Sequence, residues 1–158
     1  MKELQVSISK QELGVYENQI LIKTYSVSTA KKGVGEQWGS EQTPRGWHII
    51  RAKIGEGCKA NTVFKGRRPT GEMYSLALRQ AYPARDWILT RIFWLSGLEK
   101  GRNRLGNVDT MRRYVYIHGT PDDVAMGIPG SHGCIRMRNQ DIIELFDLIP
   151  VLTKIHIS

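Results

Sequence analysis

Apolar and polar residues alternate in short runs along this chain, and turn-forming residues interrupt nearly every run. In "LQVSIS", Leu4, Val6 and Ile8 fall on one face and Gln5, Ser7 and Ser9 on the other, the period-two pattern of a half-buried strand. Residues 11–29 read as strand, turn and strand, with Glu17-Asn18 as the turn. "WHIIRAKI" and "WILTRIFWL" are β-prone and apolar enough to be buried, and "VLTKIHIS" alternates again at the end. "KKGVGEQWGSEQTPRG" reads as loop, and residues 58–86 read as mostly irregular chain with one helical turn at Leu76–Arg79. One segment departs from this pattern. In "NQDIIELFDLIP", Ile142, Leu145, Phe146 and Ile149 recur at helical spacing. Asn139 offers an N-cap, Asp141 suits the positive first turn, and Pro150 stops the run. The pattern predicts a mainly β fold with one main helix. No repeat, low-complexity tract or linker divides it, so residues 1–158 read as a single domain.

Composition narrows the function classes. An apolar share of 41% and a charged share of 24% exclude disordered and fibrous chains. The net charge of +8 favours anionic partners. The basic residues sit in small clusters (Lys65, Arg67 and Arg68; Arg102 and Arg104; Arg112 and Arg113) without zinc-finger spacing or an RNA-binding aromatic signature. No nucleic-acid partner is predicted. Arg91 breaks the most apolar run, which is too short to cross a bilayer, so no membrane insertion is predicted. The first residues have no apolar h-region. A cytoplasmic location is expected if these residues are the whole chain, and a periplasmic or cell-envelope one if an export signal has been removed.

The chemistry concentrates in "IHGTPDDVAMGIPGSHGCIR", residues 117–136. "RRYVYIHGT" reads as a strand with Val115 and Ile117 on one side and Tyr114, Tyr116 and His118 on the other, His118 at its end. Cys134 follows sixteen residues later, after Gly133 and shortly before the helical segment. That position predicts a thiolate stabilised by a helix N-terminus, by Arg136 and by a protonated histidine. A thiolate beside an imidazole is a nucleophile with its own base, and the Gly119 carbonyl could fix the ring tautomer. Zinc held by His118, His132 and Cys134 is the rival reading, with Asp122 or Asp123 needed to complete four ligands. Cys58 reads as structural, and His48 and His156 as core-edge residues.

"IHGT…SHGCIRM" resembles the signature of the YkuD-type L,D-transpeptidase family: a strand-end histidine, a loop, then Ser-His-Gly-Cys, an apolar residue and Arg. "TPRGWHI", Thr43 to Ile49, resembles the family's upstream Thr-Pro-x-Gly element. The resemblance implies an L,D-transpeptidase-like β-sandwich or barrel with the helix after the cysteine motif. It implies no cofactor, and a peptidoglycan stem peptide or muropeptide as partner. Cys134 would attack the third-residue carbonyl of a stem tetrapeptide and expel terminal D-alanine. His118 would move the proton, with Gly119 orienting it. The amides of His132, Gly133 and Cys134 would receive the oxyanion, and Ser131 and His132 would shape the pocket. Arg136 would take a substrate carboxylate and Tyr116 would line the cleft. Hydrolysis, an L,D-carboxypeptidase outcome suited to muropeptide recycling, is the favoured expectation. Cross-linking by transpeptidation is the alternative.

Overall fold

In the computed structural model, which describes residues 1–158, the alternating runs form ten strands. They are β1 (Lys2–Ser7), β2 (Glu12–Glu17), β3 (Ile20–Ser28), β4 (Gly46–Ile54), β5 (Thr62–Lys65), β6 (Arg68–Met73), β7 (Ile88–Gly97), β8 (Tyr116–Thr120), β9 (Ile135–Arg138) and β10 (Lys154–Ile157). Two α-helices accompany them, α1 (Leu76–Ala81) and α2 (Asn139–Leu148). The strands pair in the order β4-β10-β1-β2-β3-β9-β8-β7, and β7 pairs back onto β4. That last pairing closes the sheet into a barrel, which removes its free edges. The β5–β6 hairpin hangs from β7 outside the ring.

The alternation in sequence decides what fills the barrel. Leu4 and Val6 of β1 are wholly or almost wholly buried, as are Phe93 and Leu95 of β7, Ile117 of β8, and Ile135 and Met137 of β9. α2 contributes Ile142, Leu145 and Phe146 to the same cluster, so the helix seals the barrel. Each such side chain contributes roughly 1.5–3 kcal/mol on leaving water.

Local details differ from the sequence reading where backbone geometry intervenes. The first hairpin turns at Asn18 and Gln19, both at positive φ (49° and 69°), one residue later than expected. A two-residue turn with both φ positive matches the twist of the flanking strands. The strand that carries His118 begins only at Tyr116, because Tyr114 (φ 55°) turns the chain, and runs on to Thr120, so His118 lies at its middle rather than at its end. Asn139 is the first helical residue rather than the cap, which is Arg138. Its buried side chain accepts from the Thr90 hydroxyl and donates to Asn61 and Asp122. The segment expected to be irregular contains β5 and β6, joined at Gly66 and Arg67 (φ 56° and 63°). β6 exposes most of its side chains, so it has no apolar alternation to read; its pairing with β5 holds it.

β7 changes partners midway along one edge. Ile88 and Leu89 pair with β5, and Ile92 onward with β4. Thr90 marks the change, at φ 75° and completely buried. A β-branched residue resists that conformation. Its hydroxyl, bonded to Asn139 and to the amide of Asn61 (3.0 Å), holds it there.

His48 lies inside the fold rather than at its edge. It is fully buried, with Nδ1 on the Gly46 carbonyl (3.0 Å) and Nε2 on the Thr110 hydroxyl (2.9 Å). Burial depresses its pKa to about 4, against roughly 6.5 for a histidine in an unfolded chain. As pH falls the unfolded chain therefore binds this proton first. The contribution is complete above about pH 6.5 and is lost as pH falls through the folded value, a loss on the order of 3 kcal/mol. Urea unfolding followed across that interval should show the decline, and His48→Gln should flatten it.

Candidate active site

Parallel pairing brings the motif together. β8 and β9 run parallel with Ile117 opposite Ile135 and His118 opposite Arg136. Ile117 and Ile135 point into the barrel core, so the alternate side chains of these strands face the other way. That outer face carries Tyr116, His118 and Arg136, with Cys134 at its lower end. The crossover between the strands, residues 121–134, is the glycine-rich stretch of the motif.

The turn that presents the thiol is tied down by residues from distant parts of the chain. The Ser131 hydroxyl donates to the Cys134 carbonyl (2.5 Å) and accepts from the Gly133 amide (3.2 Å). Buried Thr43 donates to the Gly133 carbonyl (3.0 Å) and accepts from the Ala30 amide (3.0 Å). This is the structural task of the "TPRG" element. Gly133 sits at φ 127°, and a Cβ there would stand 3.2 Å from the Gln42 carbonyl oxygen. Arg113 draws the preceding loop inward by donating to the carbonyls of Gln42 (2.6 Å), Glu36 (3.2 Å) and Gly35 (3.3 Å).

His118 is 1% exposed, and its Nδ1 donates to the Gly119 carbonyl at 2.7 Å. The contact leaves Nε2 as the unprotonated nitrogen, and Nε2 has no hydrogen-bond partner. A buried acceptor without a partner is costly in an ordinary core. Here it borders a cavity of about 530 Å³ lined by Arg67, Asp86, Tyr116, His118, Ser131 and Cys134 among others. Cys134 also borders a second cavity of about 270 Å³, with Trp38, Arg113, Tyr114 and His132. The thiol therefore stands between two openings.

The charge state differs from the sequence reading. Burial, with a smaller push from Asp86, raises the Cys134 thiol to about 12, outweighing the Tyr116 amide that donates to its sulfur (3.3 Å) and the nearby Arg136 and Arg113. Cys134 keeps some accessible surface, but protein atoms crowd the sulfur itself. β9 separates it from α2, so no helix N-terminus reaches it. Burial likewise lowers the His118 pKa, against the pull of Asp86 and the Gly119 hydrogen bond. The resting pair is a neutral thiol, donating to the Tyr114 carbonyl (3.6 Å), and a neutral imidazole. Such a pair reacts by general-base removal of the proton during attack, without a preformed thiolate.

The remaining predicted residues fall as follows. Tyr116 lines the larger cavity and its hydroxyl accepts from Arg67 (3.0 Å). Arg136 is engaged within the protein, by Asp86 (3.1 Å) and the Gly130 carbonyl (3.0 Å), and so is not a free fork for a substrate carboxylate. Of the three proposed oxyanion amides, Gly133's is taken by Ser131. Asp122 accepts from Asn139 and Asp123 pairs with Arg79, so neither completes a zinc set. Two site residues escaped the sequence reading. Arg67, at the β5–β6 turn, stacks on Trp94 and Tyr114 (4.6 and 4.9 Å to the ring centres). Asp86 precedes β7. The signal for Arg67 was "KGRR", a turn between two short β-prone runs.

A thiol and a tautomer-fixed imidazole sharing one cleft is the arrangement of a cysteine acyl-transfer domain. Residues 1–157 match the family model for the YkuD L,D-transpeptidase catalytic domain. The chain belongs to that family. It is 26% identical over 153 residues to a Bacillus licheniformis protein named for YkuD L,D-transpeptidase, covering 97% of this chain and 63% of the relative. The chain thus spans somewhat under two thirds of that relative's length. The fold superimposes on the L,D-transpeptidase LdtMt1 in complex with imipenem with a TM-score of 0.60 at 21% identity, over 99% of this chain and 58% of that one. An L,D-transpeptidase from Mycobacterium smegmatis gives a TM-score of 0.59 at 17% identity, again over 99% and 58%.

Proposed function

We propose that this chain is a cysteine acyl enzyme acting on peptidoglycan stem tetrapeptides. The observation that carries the reading is the unpartnered Nε2 of His118, held in its basic tautomer and bordering the cleft that contains Cys134. As the sulfur attacks the third-residue carbonyl, Nε2 takes the thiol proton. The amides of His132 and Cys134 receive the oxyanion. Collapse of the tetrahedral intermediate breaks the peptide bond, and His118 returns the proton to the departing D-alanine amine. A thioester on Cys134 remains.

An amine from a second stem turns that thioester into a cross-link; water turns it into a free tripeptide. The second cavity bordering Cys134 could admit an amine acceptor or water. Hydrolysis, with a cytoplasmic role in muropeptide recycling, is the competing outcome of the same intermediate. The test gives the purified protein a tetrapeptide with and without an amine acceptor and reads the products by mass spectrometry. Loss of D-alanine with a cross-linked dimer supports transfer, and tripeptide in both mixtures supports hydrolysis. Intact tetrapeptide in both would remove the proposal. Imipenem, the ligand of the LdtMt1 complex, should add its mass to the wild-type protein.

A further inference from the structure

Asp86 is the carboxylate that lines the larger cavity, and the acyl-transfer steps make no use of it. It lies between α1 and β7, two residues before Ile88. Arg136, the register partner of His118, donates to its Oδ1 at 3.1 Å. The same guanidinium donates to the Gly130 carbonyl at 3.0 Å, so it is anchored on both sides and fixes the carboxylate in the cavity that His118 also borders. The second oxygen, Oδ2, stands 3.8 Å from His132 Nδ1.

The acyl-transfer steps require His118 to hold a proton while fully buried. Burial opposes that charge, and Arg136 across the strand pair opposes it further. The charged and titratable groups facing the ring can be counted element by element. The segment before β7 presents Asp86, β9 and its turn present Arg136, Cys134 and His132, β8 and the turn before it present Tyr116 and Tyr114, and the β5–β6 turn presents Arg67. α2 presents neutral Asn139, and Arg91 of β7 turns to the Phe146 ring of α2. Asp86 is the group of opposite sign. It also neutralises Arg136, whose charge would otherwise bear on the ring alone.

We propose that Asp86, clamped by Arg136, is the counter-charge that lets His118 carry a proton during the reaction. It is a positioning residue, since it acts through His118 and touches no reacting atom. The proposal rests on His118 being the base and is independent of which peptide is the substrate.

The test uses the full chain with Asp86→Asn and Asp86→Glu. His118 is titrated by NMR of its imidazole without substrate, assigned against His118→Gln. Asp86→Asn should lower the His118 midpoint by about one pH unit or more. The His118 limb of the kcat/KM profile should move to lower pH by the same amount. kcat should fall about tenfold or more with KM little changed, and Asp86→Glu should restore most of it. The side chain of Asp86 is 40% exposed but its partner Arg136 only 15%, so thermal melts of both variants accompany the titrations. An unchanged midpoint in Asp86→Asn overturns the proposal whatever happens to activity. So does a wild-type His118 that stays neutral until the protein unfolds in acid. If the midpoint moves but wild-type protein leaves the tetrapeptide intact, the substrate reading fails and the counter-charge stands.

Discussion

Alanine in place of Cys134 will end turnover and leave the fold standing. The substitution removes the atom that attacks, and the other hydroxyls of the cavity are engaged, Ser131 on the Cys134 carbonyl and Tyr116 by Arg67. The turnover rate should fall by about a thousandfold or more, the size of loss seen when a nucleophile is removed from a unit that works together. Stability should barely move. The sulfur makes two weak contacts, from the Tyr116 amide at 3.3 Å and to the Tyr114 carbonyl at 3.6 Å, while the turn itself is held by Ser131 and Thr43. Initial rates of D-alanine release, set beside thermal melts of both proteins, check the pair of expectations. A variant that keeps wild-type turnover would return Cys134 to the class of small buried side chains.

Gly119→Ala should damage both the fold and the site. A Cβ there would lie 2.5 Å from Asn139 Oδ1, 2.6 Å from the Leu89 carbonyl oxygen and 3.1 Å from Thr90 Cβ. The Leu89 oxygen belongs to the backbone of β7 and the Asn139 side chain is buried and bonded on both sides, so neither can yield cheaply. Overpacking of this kind costs about 3 kcal/mol or more. Movement of β8 would also carry the carbonyl that fixes the His118 tautomer, so activity should fall further than stability. Urea midpoints measured with rates on the folded fraction separate the two effects. An unchanged midpoint would mean that β7 gives way at Thr90.

Much of this site follows from local spacing. The faces of the strand carrying His118 were legible because Val115 and Ile117 alternate with Tyr116 and His118, and the barrel keeps that division. The Gly119 contact was legible because its carbonyl is the next one along the chain. The protonation of Cys134 was not, because it depends on how closely Tyr116 of β8 and Tyr114 of the turn before it approach the sulfur. Nor was the separation of Cys134 from α2. Ile135–Arg138 is too short to show a strand by its own pattern, and only pairing with β8 and β3 makes it one. Asp86 lay in a stretch without periodicity, where nothing local indicates that Arg136, fifty residues away, will hold it.

The hairpin that hangs from β7 gives the molecule a division of labour. The ring of strands is complete without it, so residues 65–68 at its tip can be lengthened, shortened or recharged without opening the ring. Arg67 rides on that tip. The rim of the cavity can therefore be rebuilt at that tip while the ring of strands stays closed.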